Sequence, residues 1–191
     1  MTDKIRLHPN LLGPSQYIYT RERMTPESLQ WFYSPFTATP DDLDSIAEYS
    51  GSFSHLIGAD DKGLSNLWEP ALQILFRACD LNGETPVSVL RIRLGLATRT
   101  PQEIVHTPHV DHPVLEHRTG IWYPYDSTGP TRVYKETRRS AVPKTPTLIF
   151  EQEPTANLWF DFPGENYHAS STPTQHETRM VLTINYQILK K

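Results

Sequence analysis

Two periodicities divide the chain near residue 85. From about Glu69, the apolar side chains of Leu72, Leu75, Phe76 and Cys79 recur at three- and four-residue intervals. That spacing gathers side chains on one face of a helix, and Asn82-Gly83 supplies its stop. From Pro86 the interval shortens to two. Leu90, Ile92, Leu94 and Leu96 face one way while Arg91, Arg93 and Gly95 face the other, as in a strand with one buried face. Further strand-like runs follow at 119–125, 131–135, 147–150, 158–162 and 179–189. Asp126-Ser127-Thr128-Gly129-Pro130 predicts a turn between the first two of these. The stretch 161–166, with Pro163-Gly164, predicts another ahead of His168.

The first part of the chain holds two more helix starts. Thr25-Pro26-Glu27 offers a cap with proline in the first position, and Thr39-Pro40-Asp41-Asp42 adds acidic residues to the same pattern, ending at Ser50-Gly51. Residues 1–23 show no regular pattern. Trp31, Phe32, Trp68 and the apolar helix positions read as packing groups. Helices first and strands later predict an α+β chain, mainly β, whose antiparallel sheets close into a barrel with helices on one outer face. The jelly-roll or cupin-like barrel is the member of that set which holds a site between two sheets. One domain over 1–191 is expected, with 1–85 as helical support and 86–191 as the barrel core.

Composition narrows the function classes. Apolar residues make up 37% of the 191, below the usual share, and 17 prolines point to a loop-rich fold. Net charge is −4 without a long basic run, so the chain lacks the footprint of a general nucleic-acid binder. Cys79 is the sole cysteine, which excludes an internal disulfide and a cysteine-based zinc site. Neither a hydrophobic signal core at 1–12 nor a membrane span is evident, and the expectation is a cytoplasmic protein.

Candidate chemistry centres on His109-Val110-Asp111, a later His168 and then Arg179. If His109 and Asp111 open a strand, both project from one face and can bind a single ion. Two imidazoles and a carboxylate cover one face of Fe(II) and leave three positions open. Arg179 offers a planar fork suited to a carboxylate. The His-x-Asp pattern alone is weak, since 8 His among 191 residues give roughly 0.4 chance matches. The order and the strand setting carry the weight. His106, His112, Glu116 and His117 are competing ligands nearby. His112 points away from Asp111 if the segment is a strand, and His106 and His117 are expected in loops at the mouth of the site. His8, His55 and His176 have no supporting partners in the sequence. Arg91 and Arg93 would turn into the barrel, either towards an anion there or into pairs with acidic groups. Asn185 shares the face of Arg179 and Thr183, and Trp122 is expected in the core.

The residues 106–186 resemble the Fe(II)/2-oxoglutarate-dependent dioxygenases, and within them the prolyl-hydroxylase-like branch and small phage-encoded oxygenases. The matching text is His109-Val110-Asp111, Gly120-Ile121-Trp122-Tyr123, Asn166-Tyr167-His168-Ala169-Ser170-Ser171 and Arg179-Met180-Val181-Leu182-Thr183. The resemblance implies a double-stranded β-helix in which His109, Asp111 and His168 ligate Fe(II). It implies that Arg179 pairs with the distal carboxylate of 2-oxoglutarate, with Tyr123 and Thr183 in support. It further implies dioxygen as co-substrate, ascorbate as a supporting reductant, and hydroxylation of a C–H bond, with a peptidyl residue such as proline as the first substrate class. A non-catalytic metal-bearing barrel serving binding or assembly, and a cupin-like metal hydrolase or isomerase, remain open at this point. Arg179 with Tyr123 separates them, because a plain metal hydrolase needs no carboxylate clamp.

Overall fold

A computed structural model describes residues 4–35, 51–114, 116–139 and 145–189. Eight strands, most of them antiparallel neighbours, form the larger sheet. Its main order runs β1 (Arg6–His8), β9 (Trp159–Pro163), β6 (Arg118–Trp122), β11 (Thr178–Ile188), β5 (Pro86–Thr98), β3 (Ser52–Ala59) and β2 (Phe32–Ser34). The two-residue β4 (Lys62–Gly63) hairpins onto β3. A smaller sheet of β10 (Asn166–Ala169), β7 (Thr131–Thr137) and β8 (Leu148–Gln152) lies opposite. Two facing antiparallel sheets with helices outside make a double-stranded β-helix.

The alternation on β5 decides how the layers stack. Leu90, Ile92, Leu94 and Leu96 are buried on the outer face. Ile92, Leu94 and Leu96 pack with Leu182 and Ile184 of β11 against α1 (Pro14–Arg21) and α2 (Trp68–Asn82). A smaller apolar cluster of Ile121, Tyr123, Val133, Leu158, Phe160 and Phe162 fills one end of the space between the sheets. The inner face of β5 carries Arg91, Arg93, Gly95 and Ala97, so the remaining interior is polar.

Several expectations for the first 85 residues are corrected. This region is not purely helical: β1, β2, β3 and β4 all lie in it, and β3 pairs with β5. Residues 1–23 are not irregular either, since they form β1 and α1. Pro14 opens α1, but its eight residues have weak helical periodicity. The helix is held by contacts distant in sequence, among them the Tyr17 ring edge-on to Trp122 and the Tyr17 hydroxyl donating to the Pro124 carbonyl at 2.9 Å. The start at Thr25 yields only a 3-10 turn, Pro26–Ser28. The start at Thr39 lies outside the described residues. Helix α2 stops where predicted, with Gly83 at φ 63° taking the left-handed cap that glycine enters without steric cost. Its buried face is Ala71, Ile74, Leu75, Ala78 and Cys79, whereas Phe76 is half exposed. Phe32, expected to pack, is exposed on the edge strand.

One buried charge ties the amino terminus to the barrel. Asp161 on β9 is fully buried and accepts from the Arg6 guanidinium at 2.8 Å, from Arg118, from the Trp159 indole at 3.1 Å and from Asn82 at 3.3 Å. Arg6 also pairs with Glu84 just beyond α2. Such an ion is tolerable inside only because nearly every acceptor site is used.

Candidate metal and carboxylate site

His109 and Asp111 lie in no regular strand, contrary to the sequence expectation. Pro101, Pro108 and Pro113 interrupt the segment, and proline has no N–H to give to a ladder. The segment is held instead by two bridges to the continuation of β10. The His109 N–H donates to the His168 carbonyl at 2.9 Å and the His168 N–H returns at 3.0 Å; Val105 pairs with Ser171. Two residues distant in sequence are thereby placed side by side, with ring centroids 4.6 Å apart.

The ligating atoms of His109, Asp111 and His168 all fall within 4.8 Å of one another. His168 Nε2 is 3.4 Å from Asp111 Oδ2, and His109 Nε2 is 3.8 Å from Asp111 Oδ1. Ligands at right angles, each about 2.1 Å from a metal, would stand about 3 Å apart, so a small inward adjustment closes this set on one ion. His109 Nδ1 faces the Thr107 carbonyl at 3.0 Å, which fixes the proton there and leaves Nε2 with a free lone pair. Burial, and next the neighbouring His168, push the His109 pKa down to about 4, which keeps the ring neutral as a ligand must be. Burial would raise Asp111, but His168 and Arg91 outweigh it and hold the carboxyl well below its ordinary range. The two imidazoles and the carboxylate converge, and this donor set fits a divalent first-row metal.

Arg179 projects from β11 into the same cleft and is 2% exposed. Its Nε donates to the Gly129 carbonyl and its Nη2 to Thr131 Oγ1, both at 2.6 Å. Gly129 takes φ 92° in the predicted 126–130 turn, packed against the carbonyls of Ser171 and Thr172, where a side chain would not fit. Among the described residues no carboxylate lies within ion-pairing distance of Arg179. An interior cation without a counter-ion is costly, and burial accordingly lowers its pKa. The Tyr123 hydroxyl is 2.6 Å from the same Thr131 oxygen, so arginine, threonine and tyrosine form one polar cluster. Thr183 lines the cleft between this cluster and the triad. Thr131 and Ser170 also line it and were missed in the sequence; the turn before Thr131 was the available signal.

Other sequence candidates divide. Arg91 and Arg93 turn inward and face Asp111, at 2.7 and 4.0 Å. Asn185 donates to Asp111 Oδ2 at 3.3 Å and to Thr119 at 3.1 Å. His106 and His117 lie in loops as expected, but both are buried. His106 Nδ1 meets Ser170 Oγ at 2.7 Å, and His117 Nδ1 meets the Val114 carbonyl at 2.6 Å. His112 accepts from the Val114 N–H and stays off the triad. His8, His55 and His176 find partners that only folding supplies: Asn82, Ser65 and the Thr128 N–H. Trp122 is in the core as expected.

The architecture matches solved structures of the 2OG-Fe(II) oxygenases. A prolyl-4-hydroxylase of Pseudomonas putida superposes with a TM-score of 0.58 at 14% identity, over 97% of this chain and 94% of that one. The non-heme alpha-ketoglutarate-dependent epimerase SnoN of nogalamycin biosynthesis gives 0.66 at 12% identity, over 97% and 77%. HygX of Streptomyces hygroscopicus, solved with nickel and 2-oxoglutarate, gives 0.63 at 12% identity, over 97% and 83%. No protein-family model and no curated protein sequence matches the chain. The chain therefore has the double-stranded β-helix fold of these oxygenases. Similarity at this level of identity establishes the fold; the chemistry rests on the residues described above. No helix among the described residues is long and apolar enough to cross a membrane.

Proposed function

We propose that this protein is an Fe(II)- and 2-oxoglutarate-dependent oxygenase that hydroxylates a C–H bond with dioxygen. The observation that carries the reading is the pairing, in one cleft, of a two-histidine, one-carboxylate triad with a buried arginine that, among the described residues, has no carboxylate within ion-pairing distance. A metal hydrolase or a structural metal barrel would have no use for that cation.

His109, Asp111 and His168 would hold Fe(II) by one face. Arg179 would grip the distal carboxylate of 2-oxoglutarate, replacing missing charge compensation with paired charge-assisted bonds. Thr131 and Tyr123 orient the guanidinium, and Thr183 lies along the path between clamp and triad. When bound, the iron couples oxidative decarboxylation of 2-oxoglutarate to substrate oxidation, giving succinate and carbon dioxide. The chain's own task is to fix the cosubstrate, exclude water and present the substrate's C–H bond. Ile121 and Val181 provide the apolar part of the wall that does so.

The test is succinate formation by purified protein supplied with fresh Fe(II), 2-oxoglutarate and ascorbate, with and without peptides containing proline. Wild-type turnover lost in Asp111→Ala is expected. A wild type that makes no succinate, yet gains melting temperature from metal alone and nothing further from 2-oxoglutarate, would favour the structural barrel.

A further inference from the structure

The inner face of β5 carries more positive charge than the triad can balance. Arg91 and Arg93 stand two residues apart, paired in register with Asn185 and Thr183 of β11. Both turn to the same carboxylate. Arg91 Nη2 is 2.7 Å from Asp111 Oδ1 and Arg93 Nη2 is 4.0 Å from that same atom. Among the described residues no other carboxylate lies within ion-pairing distance of either. The Nε of each is buried with no hydrogen-bond partner. Two guanidinium cations therefore share one carboxylate, and a dication held by the triad would draw on that carboxylate as well. A surplus of this kind in a partly desolvated cleft is stabilised by an incoming anion.

The cosubstrate does not account for it. Its distal carboxylate already has Arg179, four residues from Thr183 on β11 and so about 13 Å along the strand from the level of Arg93. Arg179 sits at the Gly129 and Thr131 end of the cleft, Arg93 at the Asp111 end. The two arginines of β5 also differ from one another. Arg91 is committed by a short bond to Asp111 and does not line the cleft. Arg93 lines it, remains 28% exposed along its side chain, and is only loosely engaged. The strand beside it contributes Ser54, which stands opposite Gly95 two residues along from Arg93, to the same wall.

We infer that Arg93 anchors an oxyanion, a carboxylate or a phosphate monoester, carried by the primary substrate, while Arg91 holds Asp111 in place. This rests on the oxygenase reading and narrows its substrate. An internal prolyl residue carries no such group, so the class moves to compounds bearing the oxyanion near the oxidised carbon. The planar guanidinium fork suits either oxyanion, with paired bonds that a lysine cannot make.

The experiment uses the whole protein loaded with Mn(II) and saturating 2-oxoglutarate, with acetate and inorganic phosphate as probes. Paramagnetic broadening of the acetate proton and phosphate phosphorus signals reports an oxyanion held near the metal. Broadening in excess of a protein-free Mn(II)-oxoglutarate control is expected in wild type. Acetate alone would assign a carboxylate and phosphate alone a phosphate monoester. Arg93→Met should weaken oxyanion binding at least ten times more than it weakens 2-oxoglutarate binding. Arg93→Lys, which keeps the charge should the methionine variant fail to fold, should retain only part of the effect. The inference is overturned by no excess broadening in wild type, by equal broadening in Arg93→Met, or by a loss of 2-oxoglutarate binding as large as that of the oxyanion. Absence of broadening of the 2-oxoglutarate signals themselves would instead bring down the oxygenase reading, and this inference with it.

Discussion

Arg179→Met removes the guanidinium but keeps an unbranched chain of similar reach. Two hydrogen bonds, to the Gly129 carbonyl and Thr131 Oγ1, are lost, and a buried charge disappears with them. These effects oppose each other, so the ligand-free protein should change in stability by no more than about 1 kcal/mol. Binding of 2-oxoglutarate should suffer far more. One charge-assisted bond is worth about 1.5–3 kcal/mol, so losing the clamp should weaken affinity at least roughly ten- to a hundredfold. At a concentration of about 100 times the wild-type Kd, the ligand stabilises the native state by roughly 2.7 kcal/mol. The same concentration would stabilise the variant by about 1.4 kcal/mol for a tenfold loss and about 0.4 for a hundredfold loss. For a chain of this length each kcal/mol moves Tm by about 2–4 °C, so some 3–9 °C of the ligand-induced rise should vanish. Thermal unfolding of metal-loaded wild type and variant, each with and without 2-oxoglutarate, measures this directly. An equal rise in both proteins would refute the clamp. So would a variant whose ligand-free Tm drops by as much as the missing rise, because Arg179 would then be a packing group.

Asp111→Ala should abolish metal binding and succinate formation, checked by metal titration, and should also lower the ligand-free Tm, because it strands Arg91 and Arg93 without their shared acceptor. Asp161→Ala should cost about 3–5 kcal/mol in denaturant unfolding, because it strands Arg6 and Arg118 without their shared acceptor. Burial, and next the Arg179 charge, lower the folded pKa of His106 to about 4 from an ordinary 6.5, so the unfolded chain takes up the proton first as pH falls. Its contribution is complete above about pH 6.5 and is lost on descending towards pH 4, at roughly 1.4 kcal/mol per pH unit at the steepest. His106→Asn should reduce the pH slope of unfolding in that window by about one proton, and an unchanged slope would rule this out.

The strand β5 and the helix α2 were legible in the sequence because each shows its period over many residues, and burial on one face enforces that period. The chemistry of the site was legible in the order of its residue types: His-x-Asp, then histidine, then arginine on a strand-like run. What the sequence could not show is carried by contacts between distant residues. Strand β3 breaks its own alternation with a register shift between Leu56 and Gly58, and β1 is three residues long, so neither has a local period to read. Helix α1 exists because Trp122 and Pro124 receive Tyr17. His109 meets His168 of β10 through an isolated bridge, not from the strand that the sequence suggested for it. Arg93 could be seen from alternation to point inward, but not what it would face there. Only the tertiary structure put Asp111 between two arginines, left Arg179 with no carboxylate at ion-pairing distance among the described residues, and gathered Thr131 with Tyr123. The reason is physical. A period in sequence reports which face of an element is buried, whereas the charge balance of a cleft depends on which elements meet across it.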